Sequence, residues 1–493
     1  MSGRFDSVSP LRLIPYLGWR AALRARPQRR GPEGMEYTSS VSILILAVFF
    51  IIYLAVYRFG RERGRALDVY LAVASLLMYA IWYPPAVIIL LLYTLLVRYV
   101  GAILRRTRSK ALLAAVISFL VAVLAFFKYV HYLPGLTGIG GDWTKSIFVP
   151  LGISFYTLSF IGYFVDVYRG TLEPPDSMLE CVIFVSFWPT ICSGPILRTK
   201  SFFPALRSRV PLSRESVALS FVLIASGMVK KLLIADNLGS YVNWNLGFGV
   251  ERMDFHEAWL TIIGFIGQIY GDFSGYSDIA IGMALLLGVR LPANFNYPYV
   301  SSTLTELWRR WHISLSYWLR DYVYIPLGGS KKGSVRHYMN IMITFVVSGI
   351  WHGTGLGYII WGAINGAVIC LERIFHRKYE RIPARLRTVF TFLAFTIGGV
   401  FFRLDIKNAL VMIQKMFGYQ SLNFRITTAQ YVLPIIFMML YVFIDHRIQF
   451  YKVDADGYPQ VNNKRYAIVA LCVMLALALL FAGQEQPFFY FQF

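Results

Sequence analysis

Long apolar runs recur along this chain from Val41 to Phe481, separated by polar stretches rich in Arg and Lys. A helix needs about 20 apolar residues to cross the hydrocarbon of a bilayer. Candidate spans lie at 41–57, 67–83, 85–104, 111–130, 147–166, 217–235, 257–271, 279–289, 338–352, 358–371, 388–402, 431–444 and 466–482. Several in the middle are too short to cross alone, which predicts re-entrant or half-helices there. Backbone groups in hydrocarbon must bond internally, and the alternating pattern of a barrel is absent. The pattern therefore predicts an all-α, polytopic helical membrane protein of roughly 11–13 transmembrane or re-entrant helices. The longest polar excursions are 194–216, 236–256, 290–337 and 403–430.

Composition agrees. The 493 residues are 57% hydrophobic and only 15% charged, against about 25% charged in a soluble domain. The net charge of +22 reads as a topology signal, because basic loops mark the cytoplasmic side. The basic stretches 58–65, 105–110, 198–209, 330–337 and 373–387 are all expected there. From the last of these, 388–402 exits, 403–430 is external, 431–444 returns, 445–465 is cytoplasmic and 466–482 exits. The tail AGQEQPFFYFQF then faces outward. The charges are scattered between spans instead of gathered in one patch, which argues against a nucleic-acid partner and leaves the lipid bilayer as the expected one.

Residues 1–34 break the positive-inside bias. They carry seven arginines, yet would face outward if the first span runs inward. We expect a working start at Met35, or an extension that lies on the surface or is untranslated. The predicted organisation is thus a basic N-terminal extension (1–34), a transmembrane domain (35–482) and an extracytoplasmic aromatic tail (483–493). No signal-peptide cleavage site is evident. Cys181, Cys192, Cys370 and Cys472 sit in apolar segments without metal spacing and read as buried free thiols.

The candidate chemistry lies in TELWRRWHISLSYWLRDYVYIPLGGSKK (305–332) and in SGIWHGTG (348–355). Read as one helix, 304–322 gathers Leu304, Leu307, Trp308, Trp311, Leu315, Trp318, Leu319 and Tyr322 on one stripe. Glu306, Arg309, Arg310, Tyr317, Arg320 and Asp321 cover the rest. This amphipathic helix suits the membrane interface or a groove between helices, with His312 at the edge of the stripe. His352 closes a span that begins after the basic segment ending at His337. Fifteen residues put it about 22 Å along that helix, and Gly349, Gly353, Gly355 and Gly357 around it permit close backbone approach or a broken helix. Ionisable side chains at such depth are costly and mark function. DFSGYSDIAIG (272–282) reads as a Ser–Gly turn at a span boundary flanked by Asp272 and Asp278, and Ser301, Ser302 or Thr303 as caps. There is no G-x-S-x-G, H-E-x-x-H or P-loop, and the two histidines lack further ligands nearby for a metal.

WRRWHISLSYWLRDYVYIPLGG together with SGIWHG resembles the membrane-bound O-acyltransferase superfamily, in the bacterial branch typified by the alginate O-acetyltransferase membrane subunit. VPLGISFYTLSFIGYFVDVYRG (149–170), SGPILR (193–198), DFSGYSDIAIG, LPANFNYPY (291–299) and the terminal FYFQF carry the resemblance over nearly everything from Met35 onward. Gly271 stands where the family usually has an aromatic residue. The resemblance implies a helical shell around a central tunnel, entered from the cytosol by the acyl donor. It also implies that His352 is the superfamily's essential histidine and His312 the second of this branch. A histidine can take a proton from an attacking hydroxyl near neutral pH. His352 is the expected base, with His312 orienting the donor carbonyl or steadying the developing charge. Arg309, Arg310, Lys331 and Lys332 are candidates to hold the donor's phosphates, with solvated surface charge as their competing role.

The tail carries one hydroxyl, Tyr490, among phenylalanines. It either anchors an aromatic belt or folds back to relay the acyl group. A phenyl ester is reactive, so acetyl is expected to pass to Tyr490, then to a serine of an extracytoplasmic SGNH-type partner, then to a polymer. The expected function is acyl transfer, acetyl above all, from acetyl-CoA or another cytosolic thioester to an exported or envelope polysaccharide, in the bacterial inner membrane and without a bound cofactor. The rivals are D-alanyl transfer to teichoic acids and a proton-coupled transporter that uses the two histidines as a relay. The internal repeat common in transporters is not found.

Overall fold

A computed structural model describes residues 40–59, 63–82, 84–132, 144, 147, 149–418, 446–462, 464–480, 486 and 488. The predicted extension 1–34, the predicted span 431–444 and Tyr490 lie outside these residues. In chain order the helices are α1 (Ser40–Phe59), α2 (Arg63–Trp82), α3 (Ala86–Thr107) and α4 (Lys110–Tyr129). Then come α5 (Ile153–Tyr168), α6 (Met178–Ser186), α7 (Thr199–Arg207), α8 (Arg214–Gly247) and α9 (Phe255–Leu286). The short α10 (Leu304–Arg310) and α11 (Ile313–Leu319) precede α12 (Ser334–His352), α13 (Leu356–Ile374), α14 (Ala384–Arg403), α15 (Ile406–Phe417) and α16 (Arg465–Leu480). A small antiparallel hairpin, β1 (Tyr451–Val453) on β2 (Pro459–Val461) with Tyr451 opposite Val461, interrupts the helical pattern in the loop before α16.

Among the described residues, six helices are long and apolar enough to cross a membrane: Gly64–Ile81, Ala86–Thr107, Lys110–Tyr129, Arg214–Gly247, Leu356–Ile374 and Ala384–Arg403. Shorter apolar stretches lie at Leu44–Phe59, Ile153–Tyr168 and Arg465–Leu480. Large apolar side chains such as Ile51, Leu92, Phe119, Val469 and Leu479 point outward, as lipid-facing residues must when the solvent is hydrocarbon. Cys181, Cys192 and Cys370 are buried, but Cys472 is exposed, because α16 turns that face away from the protein. The expectation of four buried thiols fails at this position.

The core is an antiparallel pair, α8 against α9, packed along small residues. A Cβ on Gly275 would come within 2.8 Å of the Gly227 carbonyl, and one on Gly282 within 2.8 Å of the Ser220 carbonyl. Gly271 is equally tight, 2.9 Å from the Lys230 carbonyl, so an aromatic side chain has no room there in this chain. Capping boxes start both helices, Ser213 with Ser216 and Asp254 with Glu257.

This pair overturns two expectations. The predicted spans 257–271 and 279–289 are one helix, so DFSGYSDIAIG forms no turn, and Asp272 and Asp278 lie mid-helix and buried. Likewise α8 continues from the predicted 217–235 into the presumed polar excursion, through a wide π turn at Val229–Ala235. The reason is charge pairing. Lys230 Nζ lies 2.7 Å from Asp278, and Lys231 Nζ lies 2.8 Å from Asp236 and 3.0 Å from Asp272. Carboxylates paired in this way need no turn to reach water.

Ion pairs pin the basic loops. Arg105 pairs with Glu173, Arg209 with Asp68, Arg198 with Asp321 and Arg207 with Glu180. Arg373 reaches His337 Nε2 at 3.3 Å. Loops 105–110, 198–209 and 330–337 are thus each tied by their charges to neighbouring elements.

Candidate active site

His312 sits at a break. The predicted single helix over 304–322 ends at Arg310 and restarts at Ile313, with His312 between them in the left-handed region at φ 42°. That conformation is costly for a residue with a Cβ and persists only where its surroundings impose it. Here Asn294 imposes it. Its carbonyl accepts from Ile313 N at 2.9 Å, and its side-chain oxygen accepts from Ser314 N at 3.1 Å and Ser314 Oγ at 2.9 Å. Its amide donates to Ser277 on α9 at 3.1 Å. Asn296 N donates to the Arg310 carbonyl at 2.9 Å, so LPANFNYPY is the cradle of the break. Thr303 is the cap of α10, and Glu372 accepts from Leu304 N at 2.6 Å, bracing the same end.

The break carries His312 from the expected edge of a stripe to full burial, 0% exposed. Its ring meets Phe273 at 4.6 Å, Phe155 at 6.2 Å and Trp351 at 6.2 Å between centroids. Neither ring nitrogen has a hydrogen-bond partner among the described residues. Buried polar groups are nearly always paired, so an unpaired imidazole is the group to expect where a reactant docks.

His352 is the last residue of α12, as its glycine surroundings suggest. Gly353 takes an extended conformation and stops the helix. The packing of α12 on α13 depends on Gly349, where a Cβ would fall 2.2 Å from the Tyr358 carbonyl. Trp351 Nε1 donates to the Ser154 carbonyl at 3.1 Å, and Lys128 donates to the Trp351 carbonyl, tying the end of α12 to α5 and α4. The His352 ring is 5% exposed, walled by Trp351 at 4.7 Å, Trp361 at 5.1 Å and Phe402 at 5.2 Å. Trp351 therefore touches both imidazoles. Two histidines 40 residues apart in sequence share one buried aromatic chamber.

A cavity of about 560 Å³ adjoins this chamber. Its lining includes Ile313, next to His312, and Ser348, one turn before His352. Arg309, Arg320 and Arg373 lie on its wall with Thr305, Ser316 and Tyr324. Of the residues proposed to hold phosphates, only Arg309 lies there. Arg310 pairs with Glu306 at 2.8 Å, and Lys331 and Lys332 sit exposed in a turn. Sequence reasoning assigned Arg320 to the solvated face of a helix and left Arg373 among loop charges. It also passed over Asn294, whose only signal was its place in the NFNYPY turn. Among the described residues no group of His, Cys, Asp and Glu could hold a metal ion.

Two tail residues are described: Gln486 is half-buried and Phe488 is buried. Phe488 is 3% exposed, its ring 5.0 Å from Tyr276 and 6.2 Å from Phe273.

Lipid-facing helices, a paired and buried charge cluster and an enclosed histidine chamber define a multi-pass membrane enzyme. The signature of the MBOAT, membrane-bound O-acyltransferase family matches residues 40–404, and the chain belongs to this family: it is an O-acyltransferase. It is 33% identical to a probable alginate O-acetylase AlgI of Pseudomonas putida, over 93% of this chain and all of that one. It is 30% identical to a peptidoglycan O-acetyltransferase of Helicobacter pylori, over 86% of this chain and 91% of that one. A teichoic acid D-alanyltransferase of Bacillus subtilis is 28% identical over 51% of this chain and 67% of its own. Membership in an acyltransferase family replaces the transporter reading.

Proposed function

We propose that this protein transfers acetyl from a cytosolic thioester, acetyl-CoA, across a bacterial inner membrane for O-acetylation of an envelope or exported polysaccharide. The observation that carries the proposal is the shared chamber of His312 and His352 beside an arginine-walled cavity. Two relatives matched over most of their length are an alginate O-acetylase and a peptidoglycan O-acetyltransferase by name. Guanidiniums suit the phosphates of a coenzyme A donor, which gives Arg309, Arg320 and Arg373 the role of holding it.

In the transfer an acceptor hydroxyl attacks the thioester carbonyl while His352 takes its proton. His312 steadies the oxygen of the tetrahedral intermediate. Collapse of that intermediate breaks the C–S bond, and the thiolate leaves with the proton returned by His352. We assign the first acceptor hydroxyl to Tyr490. Its phenyl ester would then pass acetyl to a serine of an SGNH-type partner, and from there to the polymer. The neighbouring Phe488 packs on Phe273, the ring that meets His312, which favours a tail that reaches the site. D-alanyl transfer is the second reading, favoured by the match to a teichoic acid D-alanyltransferase.

The test uses purified protein, radiolabelled acetyl-CoA and the soluble domain of an SGNH-type partner, comparing wild type with His352→Ala and Tyr490→Phe. Label on Tyr490 that both variants lose supports acyl transfer with a tyrosine relay. Label that reaches the partner despite Tyr490→Phe keeps the enzyme and removes the relay. No label in any folded sample refutes acetyl-CoA as donor and moves the reading to D-alanyl transfer.

A further inference from the structure

The charge cluster in the middle of the bundle has a contact that pairing alone does not call for. An ammonium has three donors. Lys231 Nζ forms ion pairs with Asp236 at 2.8 Å and Asp272 at 3.0 Å, and it donates a hydrogen bond to the main-chain carbonyl of Gln486 at 2.6 Å. The wide turn at Val229–Ala235 is what lets two consecutive lysines serve different carboxylates of α9, Lys230 taking Asp278. Lys231 is left with one N–H aimed at the tail.

The side chain of Gln486 is held as well. Asn243 Nδ2 donates to its Oε1 at 3.0 Å, and its Nε2 donates to Ser240 Oγ at 3.2 Å. Gly239 makes the room, since a Cβ there would lie 3.2 Å from Gln486 Cγ and 2.7 Å from Gln268 Nε2. One backbone contact and two side-chain contacts set both the depth and the register of the segment. Two residues further on, Phe488 seats between Tyr276 and Phe273, and Phe273 is the ring packed edge-on against His312.

We infer that Lys231, with Ser240 and Asn243, is a dock that holds the C-terminal segment against the histidine chamber. Phe488 thereby backs Phe273 of the chamber, and Lys231 is a positioning residue for acyl transfer. The inference rests on the reading that this chamber is where the acyl group moves. Its recognition chemistry is a buried cation on a main-chain carbonyl, with amide and hydroxyl partners reading one glutamine.

Two readouts test it. Phe488→Cys in a Cys472→Ser background adds a thiol at the seat, and the buried native thiols Cys181 and Cys192 report whether the fold stays closed. Lys231→Met or Gln486→Ala should raise maleimide labelling of Cys at position 488 at least tenfold while Cys181 and Cys192 stay protected. In chains that keep Phe488, the same two substitutions should lower acetyl transfer from acetyl-CoA at least tenfold, and Lys231→Arg should retain part of both properties. Unchanged labelling in folded variants overturns the dock, and faster labelling with full transfer overturns the positioning role. If Lys231→Met fails to fold, Gln486→Ala decides, because it leaves the ion pairs in place. His352→Ala should abolish transfer with position 488 still protected. If it does not, the functional reading falls, and labelling still judges the dock.

Discussion

Removing Asp278 tests how the centre of the bundle is held. Its carboxylate accepts from Lys230 at 2.7 Å, from the Tyr451 hydroxyl at 2.8 Å and from Ser226 at 3.3 Å. Lys230 and Asp278 are each 2% exposed. Asp278→Ala leaves a buried ammonium without its carboxylate, which costs about 3–5 kcal/mol. A chain of 493 residues unfolds with an entropy of about 1 kcal/mol/K, so the melting midpoint should fall by about 3–5 °C. Lys230→Met with Asp278→Leu removes both charges and should recover most of the loss, leaving about 1–2 kcal/mol for the stranded Tyr451 hydroxyl. The assay is thermal unfolding in detergent, followed by a dye that reacts with thiols as Cys181 and Cys192 become exposed. The reasoning is refuted if Asp278→Ala melts within about 1 °C of wild type, or if the double variant melts as low as the single one.

Two further outcomes follow from the site. Arg320→Ala and Arg373→Ala should each raise KM for acetyl-CoA about fivefold with kcat little changed, the effect of losing a partly solvated charge contact of about 1 kcal/mol. The difference should shrink in high salt, and a salt-independent loss of kcat would contradict donor binding. Gly349→Val should cost at least about 1–3 kcal/mol by overpacking, because even a Cβ there meets the Tyr358 carbonyl at 2.2 Å. It should also reduce transfer by displacing His352, whereas a fully active and stable variant would show that α12 and α13 need not approach this closely.

Periodicity and composition were enough to read the helical class, most span positions and the end of α12 at His352. These signals are local: a run of apolar residues, or a histidine set among glycines, has the same meaning wherever the chain goes next. The amphipathic stripe of 304–322 was also legible, since Leu304, Leu307, Trp308, Trp311, Leu315, Trp318 and Leu319 are buried. The break inside it was not, because the constraint on His312 comes from Asn294, 18 residues earlier. Asp272 and Asp278 looked like residues that needed a turn toward water, and α9 runs straight through them because Lys230 and Lys231 of another helix supply the opposite charge. Arg320 and Arg373, distant in the chain, come together only on the wall of the cavity, and Cys472 is exposed on the outer side of α16. The sequence alone determined the helical class and that two histidines lie in apolar segments. Tertiary structure decided which charges are neutralised, where a helix must break and which surfaces face lipid, because those depend on partners distant in the chain.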